Sequence, residues 1–179
     1  MTPFDVKKCL ASMQILVDTR EQETDRAKRR YKDLGNYERR KLEYGDYCFN
    51  FQFPNSTWLH DAEQDKVFPT IYIERKMNLD ELCLCFGTDR KRFKAEFERA
   101  KENNARGYLL VENCTWEHVL NGRYRSKLNS KALLSSLLAW SIRYNFKIIF
   151  CKSETSGKVI YNILYRELRE YLENLEWSD

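Results

Sequence analysis

Short apolar runs, and runs in which apolar residues alternate with other types, predict six strands along the chain. Alternation is clearest from 47 to 53, where every second residue is aromatic, which is the period of a strand. The predicted strands cover residues 14–18, 37–41, 47–53, 70–74, 107–112 and 147–151. The second and third of these are predicted to pair with each other around the turn-like Tyr44-Gly45-Asp46.

Apolar residues at helical spacing predict helices, most of them in the second half of the chain. Asn78 is a predicted helix N-cap, with Glu81 three residues later as in a capping box. The predicted helices cover 89–104, 115–120, 130–144 and a long segment after 151, and the polar segment 22–34 is predicted to be partly helical. Residues 54–68 resemble a polar insertion.

Early strands followed by alternating helices and strands predict an α/β fold with three layers, in which helices flank a central mixed sheet. With 179 residues, no internal repeat and no linker, the chain is expected to form one domain over 1–179, with a core at about 14–175. The last two helices each have a strongly apolar face. Burial within the domain explains these faces, and so would a homodimer interface.

Several protein classes do not fit this sequence. No apolar run approaches the roughly 18 residues of a membrane span, and the N-terminus lacks a secretory signal, so cytoplasm, or the nucleus in a eukaryote, is the expected compartment. The six cysteines form no CxxC pair, which favours buried reduced thiols over zinc. No glycine-rich phosphate loop is present, so no nucleotide cofactor is expected.

The distribution of charge says more than the net charge of +4. Residues 25–41 include eight basic and three acidic side chains, and residues 118–153 include seven basic and no acidic ones. Such uneven charge favours a polyanionic partner such as nucleic acid, although ordinary solvated helix faces would also explain it.

The strand TIYIERK at 70–76 carries the candidate chemistry. Because side chains alternate along a strand, Glu74 and Lys76 are predicted to share one face, and Ile71, Ile73 and Arg75 the other. Asp46 begins the preceding strand, and antiparallel pairing would bring it beside Glu74. An isolated Glu-x-Lys also occurs as a plain surface ion pair.

Two converging carboxylates favour a hard divalent cation with oxygen ligands, either Mg²⁺ or Mn²⁺. Such an ion makes a coordinated water acidic enough to attack phosphorus. Lys76 could position or deprotonate that water, or stabilise charge on the phosphate. Nearby carboxylates raise the pKa of a lysine, so the electrostatic role is favoured.

These motifs together resemble one family. Gly45-Asp46 followed by Glu74-Arg75-Lys76 and Asp80 is similar to the GD…ERKxxxD signature of XPF-type structure-specific endonuclease domains. Val17-Asp18-Thr19-Arg20-Glu21 looks like the opening VDxRE strand, and 107–112 (GYLLVE) like a later strand of that domain. The resemblance covers nearly the whole chain, but the chain has no helix-hairpin-helix segments, which such enzymes commonly carry.

The resemblance implies a restriction-endonuclease-like fold and Mg²⁺- or Mn²⁺-dependent cleavage of branched DNA such as flaps, forks and junctions during repair, recombination or replication. By motif position it implies metal-site acids at Asp18, Glu21, Asp46 and Glu74, and a catalytic lysine at Lys76. It further implies phosphate-contacting or bracing arginines at Arg20 and Arg75. Asp80, near a predicted helix N-terminus, is expected to favour the helix dipole and to brace Arg75 or Lys76 in a supporting role, and an effect on catalysis stays open.

DNA recognition is expected on basic segments outside the signature. The candidates are Arg90 and Arg92 in one helix and Arg123, Arg125 and Lys127 in a later loop, with Trp58 as a candidate for base stacking. Two other functions remain open. One is a non-catalytic DNA-binding or partner module on the same fold, and the other is a nuclease for linear duplex DNA or RNA. The sequence does not define the cleavage polarity, the oligomeric state or the pathway.

Overall fold

Thirteen helices and strands follow one another along residues 1–175, the part of the chain that the computed structural model describes. Residues 176–179, the end of the predicted domain, lie outside it. The strands are β1 (Gln14–Asp18), β2 (Tyr37–Arg40), β3 (Tyr47–Asn50), β4 (Ile71–Lys76), β5 (Arg106–Glu112) and β6 (Phe146–Cys151). The helices are α1 (Pro3–Ala11), α2 (Asp25–Tyr31), α3 (Leu79–Phe86), α4 (Arg90–Glu102), α5 (Trp116–Leu120), α6 (Ser130–Arg143) and α7 (Ser156–Glu173).

The strands form one mixed sheet in the order β2-β1-β3-β4-β5-β6. β3 is antiparallel to both β1 and β4, whereas the pairs β1–β2, β4–β5 and β5–β6 are parallel. The predicted pairing of 37–41 with 47–53 is therefore wrong. Helix α2 connects β1 to β2 as a crossover, which returns the chain in the parallel direction and leaves β3 to pair on the other side of β1.

Two apolar cores lie on opposite faces of the sheet, which confirms the three-layer α/β architecture. On one face, α3, α4, α5 and α6 pack with Tyr72, Leu109 and Val111 of the sheet. On the other face, α1, α2 and α7 pack with Ile73 and Leu110. Residues of β4 and β5 alternate between the two faces of the sheet. A polar side chain at the end of either strand therefore lies on one face, next to the apolar residues of that face.

Helix α1 is absent from the predicted elements. Thr2 caps it, and Asp5 completes a capping box, with Pro3 in the first turn. Its residues pack in the same core as α7, although Cys9 is the fully buried side chain that it contributes. A single buried side chain gives too little apolar periodicity to detect, so the TPFD cap was the available signal.

The last two helices bury most of their apolar faces, as expected. Helix α7 buries Ile160, Leu164, Leu168 and Leu172 against the sheet. Helix α6 buries Leu133, Leu137 and Trp140, but Ile142 is 84% exposed. The remaining apolar strip on α6 is narrow, and a homodimer through these helices stays a prediction.

All six cysteines have free thiols, five of them buried and Cys151 half-buried. Burial raises their pKa, to about 11 for Cys83 and Cys85, which keeps the thiols neutral. Within residues 1–175, no helix is both long and apolar enough to cross a membrane.

The polar insertion is joined to neighbouring segments by one isolated β-bridge near each end. Leu42 bridges Val67, and Gln52 bridges Trp58. Between these points His60 is buried, and its backbone amide donates to the Asn50 side chain at 2.9 Å. The carbonyl of His60 accepts from Asn50 and from Arg40. The segment is thus polar in sequence but contributes ordered, buried structure.

We predict that His60 makes the fold sensitive to mild acid. Burial, assisted by the charge of Arg40, lowers the pKa of His60 from 6.5 to about 4. Below pH 6.5 the unfolded chain therefore binds a proton that the folded chain does not, and stability falls as the pH drops from 6.5 towards 4. The expected loss between pH 7 and pH 5 is on the order of 1–2 kcal/mol, measured by urea unfolding.

The control for this prediction is His60→Phe, which keeps a ring but does not titrate. Its free energy of unfolding should vary less than that of the wild type between pH 7 and pH 5. Parallel curves for the two proteins would contradict the assignment to His60.

Candidate active site

A cleft of about 700 Å³ opens at the carboxyl ends of β1 and β4, where β3 begins. Helices α2 and α4 contribute residues to its two walls. Ligands commonly bind beyond the carboxyl ends of strands in α/β sheets. The residues that line this cleft include Arg20, Glu21, Arg26, Asp46, Glu74, Arg75, Lys76, Arg92 and Glu96.

Asp46 occupies the centre of this edge because its backbone joins two strands. Its amide donates to the carbonyl of Ile73 at 2.8 Å, and its carbonyl accepts from the amide of Asp18 at 2.8 Å. Its side-chain Oδ2 accepts from the amide of Arg75 at 2.7 Å. The predicted antiparallel pairing of β3 with β4 is present, with Tyr47 opposite Ile73, and it brings Asp46 next to the end of β4.

Gly45 precedes Asp46 for two steric reasons. Its φ of +75° lies in the left-handed region, and a Cβ atom there would lie 2.8 Å from Cδ2 of Tyr72. At the hydroxyl end of the same side chain, a Cβ atom at Gly107 would lie 2.5 Å from Cζ of Tyr72. The ring of Tyr72 is therefore enclosed by two glycine backbones.

Glu74 and Lys76 lie on the same face of β4 and are both buried, with the ammonium of Lys76 donating to Oε1 of Glu74. The Nζ atom of Lys76 also lies 5.2 Å from the centroid of the Phe93 ring on α4. Burial opposes the charge on Lys76, but Glu74 and Asp46 outweigh it and raise the pKa of Lys76. The side chain is therefore an ammonium ion at neutral pH.

Several carboxylates lie close together in the cleft. Burial, followed by the charges of Glu74 and Glu21, raises the pKa of Asp46 well above its usual range. Burial and Glu74 likewise raise the pKa of Glu96, which projects from α4 into the same cleft. Carboxylates that destabilise each other in this way are stabilised by a nearby cation.

The donor atoms fit a hard cation in part. Among the hydrogen bonds of residues 1–175, Oδ1 of Asp46 and Oε2 of Glu74 have no donor, so each carboxylate has one oxygen open. No group of three His, Cys, Asp or Glu side chains in these residues is close enough to form a complete ion cage. Mg²⁺ is commonly bound by one or two carboxylates, and water molecules complete its coordination shell.

Arg30, from α2, lies buried beneath the cleft. Its Nη2 lies 3.1 Å from Oε1 of the fully buried Glu112, and its Nε donates to Oγ of Ser156 at 3.2 Å. Its Nη1 donates to the hydroxyl of Tyr47 at 3.0 Å and lies 3.5 Å from Oε2 of Glu21. This single guanidinium thus links α2, the end of β5 and the start of α7.

Arg75 extends the same buried network towards the cleft. Its Nη2 donates to both carboxylate oxygens of Glu21 at 3.3 Å, and its Nη1 lies 3.5 Å from Oε2 of Glu112. Arg75, Ile73 and Ile71 share the face of β4 opposite Glu74, as predicted from the alternation. Its guanidinium is committed to these two carboxylates, which favours bracing over phosphate contact.

The family model of the ERCC4 domain matches residues 17–163, most of the chain. The chain belongs to the ERCC4 domain family. The family is one of DNA endonucleases.

Two solved structures share the fold of this ERCC4 domain. XPF from Aeropyrum pernix aligns with a TM-score of 0.61 and 18% identity over 93% of this chain and 66% of that chain. XPF from Aeropyrum pernix in complex with DNA aligns with a TM-score of 0.56 and 20% identity over 93% of this chain and 68% of that chain. The ERCC4 domain described here therefore spans about two thirds of their length. No curated protein sequence matches the chain.

Asp18 ends β1, where its amide bonds the carbonyl of Asp46, but its side chain has other partners. It is buried, and its Oδ1 accepts from the amide and Nε of Arg20, both at 2.7 Å. Its Oδ2 accepts from the amide of Leu42 at 2.8 Å and from Arg20. Both oxygens are engaged and Asp18 is not among the cleft-lining residues, so these contacts favour orienting Arg20 over binding a metal.

The predicted contact of Asp80 with Arg75 or Lys76 is wrong. Asp80 lies in the first turn of α3, where its carboxylate accepts from the amide of Arg125 at 2.7 Å and from its Nε at 2.9 Å. Those two bonds lower the pKa of Asp80. Glu81 also departs from the predicted capping box, because it bonds the amide of Met77 while Asn78 caps the helix.

The other predicted DNA contacts are spread over the surface. Arg92 lines the cleft and pairs with Asp89, whereas Arg90 lies 4.9 Å over the ring of Trp140. The remaining candidates, which are exposed and lie outside the cleft lining, are Arg123, Arg125, Lys127 and Trp58.

Arg30 and Glu96 line the cleft but were not among the predicted site residues. Glu96 lies three residues after the buried Phe93 in α4, at the border of the buried face of the helix. This spacing could have predicted that Glu96 points towards the sheet edge. Arg30 shares a face with Ala27 and Tyr31 in a seven-residue helix, which is too short for a clear apolar period.

We predict strong energetic coupling between Arg30 and Glu112. Glu112→Leu leaves the buried guanidinium without its main partner and should destabilise the fold by about 3–5 kcal/mol. In Arg30→Met/Glu112→Leu both charges are gone, so the double variant should be destabilised clearly less than the sum of the two single variants. Urea unfolding of the wild type and the three variants measures this coupling.

The matched control is the exposed pair of Arg169 and Glu173, one helical turn apart on α7. The same cycle there should give a much smaller coupling, because solvent screens both charges. Additive effects at Arg30 and Glu112 would contradict the proposed network.

Proposed function

We propose that this ERCC4 domain is a metal-dependent DNA endonuclease that hydrolyses phosphodiester bonds with Asp46, Glu74 and Lys76. The observation that carries the proposal is that these three side chains share one cleft, and that each carboxylate keeps one oxygen without a hydrogen bond from any of residues 1–175. Membership of the ERCC4 family and the fold shared with an XPF solved in complex with DNA support DNA as the substrate.

Asp46 and Glu74 would hold Mg²⁺ or Mn²⁺ through their open oxygens. A divalent ion bound there would supply an acidified water for attack and partial neutralisation of the phosphate. The chain itself contributes fixed positions, since the amide of Arg75 orients Asp46 and Lys76 orients Glu74. Carboxylates held in this way favour catalysis by preorganisation.

Lys76 acts as a charge rather than as a base. Its raised pKa means that it holds its proton at neutral pH, so it stabilises negative charge on the phosphate oxygens instead of accepting a proton from water. Arg20 supplies a second cation at the rim of the cleft. Asp18 pairs with its Nε and Nη2, which offsets part of its charge and fixes the orientation of the guanidinium.

Branched DNA is the proposed substrate class, as the resemblance to structure-specific nucleases implies. We predict cleavage of flap, fork or junction DNA with Mg²⁺ or Mn²⁺ and none with EDTA. Asp46→Asn and Glu74→Gln should each slow cleavage by at least about 100-fold, the scale on which removal of one preorganised electrostatic group acts. Lys76→Ala should reduce the single-turnover rate more than it weakens DNA binding.

Glu102→Gln, an exposed change at the end of α4, serves as the control and should cleave like the wild type. Thermal unfolding of each variant shows whether the fold is retained. A panel of flaps, forks, four-way junctions, linear duplexes and RNA defines the substrate. Wild-type rates in both Asp46→Asn and Glu74→Gln would overturn the site, and binding without cleavage of any substrate would favour the non-catalytic module.

A further inference from the structure

The exposed face of α2 presents four cations with no acidic partner. Arg26, Lys28, Arg29 and Lys32 are all exposed, and none forms an ion pair within residues 1–175. Asp25 is the acidic residue of this helix, so α2 with its C-cap Lys32 keeps a clear positive excess. Many other surface cations of the chain are paired, among them Arg39, Lys66, Arg99, Arg106 and Arg169.

The buried face of α2 fixes these cations relative to the catalytic side chains. Arg30, on that face, bonds Tyr47 and Ser156 and contacts the carboxylate of Glu21. The start of α7 packs so closely on the helix that a Cβ atom at Gly157 would lie 2.5 Å from the carbonyl oxygen of Arg30. A seven-residue helix is marginal alone, and these contacts hold it in place.

Helix α2 is also continuous with the cleft. Its N-cap Thr24 and its first-turn residue Arg26 line the cleft, together with Asp46 and Glu74. Lys28, Arg29 and Lys32 continue the positive surface from Arg26 along the helix. A strand whose phosphate occupied the cleft would therefore meet this helix first on one side.

Three cations of the other basic regions already have intramolecular partners. Arg125, in the loop at 123–127, is tied to Asp80 through its amide and Nε. In the first turn of α4, Arg92 pairs with Asp89. Arg90 lies over Trp140. These three groups would lose an existing interaction on binding a phosphate, whereas the exposed cations of α2 have no ion pair to lose within residues 1–175.

We propose that the outer face of α2 is a track for the DNA backbone that leads one strand into the cleft. Seven helical residues span roughly 10 Å, and a strand of duplex DNA carries a phosphate every 3.4 Å or so along its axis, so the helix matches about three phosphates. The proposal rests on the proposed nuclease function, and it assigns the positively charged side of the substrate path.

The test compares three variants that each remove three positive charges. Arg26→Gln/Lys28→Gln/Arg29→Gln removes three of the four cations of the track, and Arg123→Gln/Arg125→Gln/Lys127→Gln neutralises the loop. Lys7→Gln/Lys8→Gln/Lys101→Gln removes exposed charges on α1 and the end of α4 and serves as the control. Fluorescence anisotropy gives the Kd for fork DNA between about 50 and 200 mM NaCl in EDTA, where no cleavage occurs.

The α2 variant should bind more weakly at low salt, and its plot of log K against log salt should be shallower by about 2–3, at roughly 0.9 for each phosphate that is no longer neutralised. The control should keep the wild-type slope. A wild-type slope in the α2 variant would overturn the track, and so would flattening confined to the loop variant.

Two further measurements separate this inference from the proposed function. Asp46→Asn should keep the wild-type salt slope, because it changes the catalytic site and not the track. If the wild type cleaves DNA with Mn²⁺ but the α2 variant keeps its slope, the track fails while the nuclease stands. If the slope flattens as expected but the wild type cleaves no DNA, the track stands while the nuclease function fails.

Discussion

The site depends on the way in which Asp46 is bonded into the sheet. Its amide and carbonyl join β4 and β1, and its side chain accepts from the amide of Arg75. Because all three bonds are to backbone atoms, the carboxylate is held by the strands themselves. Burial and two acidic neighbours oppose its charge, so without these bonds the side chain would be expected to turn towards solvent.

Two layers of charge support this arrangement. The upper layer, at the cleft, brings the carboxylates of Asp46, Glu74 and Glu96 close enough to repel one another, which is unfavourable for folding and favourable for binding a cation. The lower layer pairs Arg30 and Arg75 with Glu21 and Glu112 in the interior. Buried ion pairs add little net stability, so the value of this layer lies in positioning, and the two apolar cores provide the stability.

Much of the fold could be predicted from the sequence, because apolar periodicity reports local structure. The runs at 14–18, 70–74 and 107–112 are strands, and the alternation in β4 correctly separates Glu74 and Lys76 from Arg75. Strand pairing was harder to predict. The hairpin of 37–41 with 47–53 was wrong because pairing depends on where α2 crosses, and no local pattern encodes that.

The site residues at strand ends could be predicted from the sequence, whereas those on helices were not. Asp46, Glu74 and Lys76 lie at strand ends, and the sequence predicts their shared location directly. Arg30 and Glu96 reach the cleft from α2 and α4, whose placement is decided by tertiary packing. The partner of Asp80 was misplaced for the same reason, since Arg125 lies 45 residues away on a loop with no periodic structure.

The enclosure of Tyr72 by two glycines bears on how this domain can change in evolution. A residue larger than glycine at 107 becomes compatible only if the ring at 72 has first been replaced, so the order of the two substitutions matters. Position 45 is more restricted, since its positive φ persists even when the ring is smaller. Divergence at 107 and 72 should therefore be correlated among relatives, while 45 stays glycine independently of both.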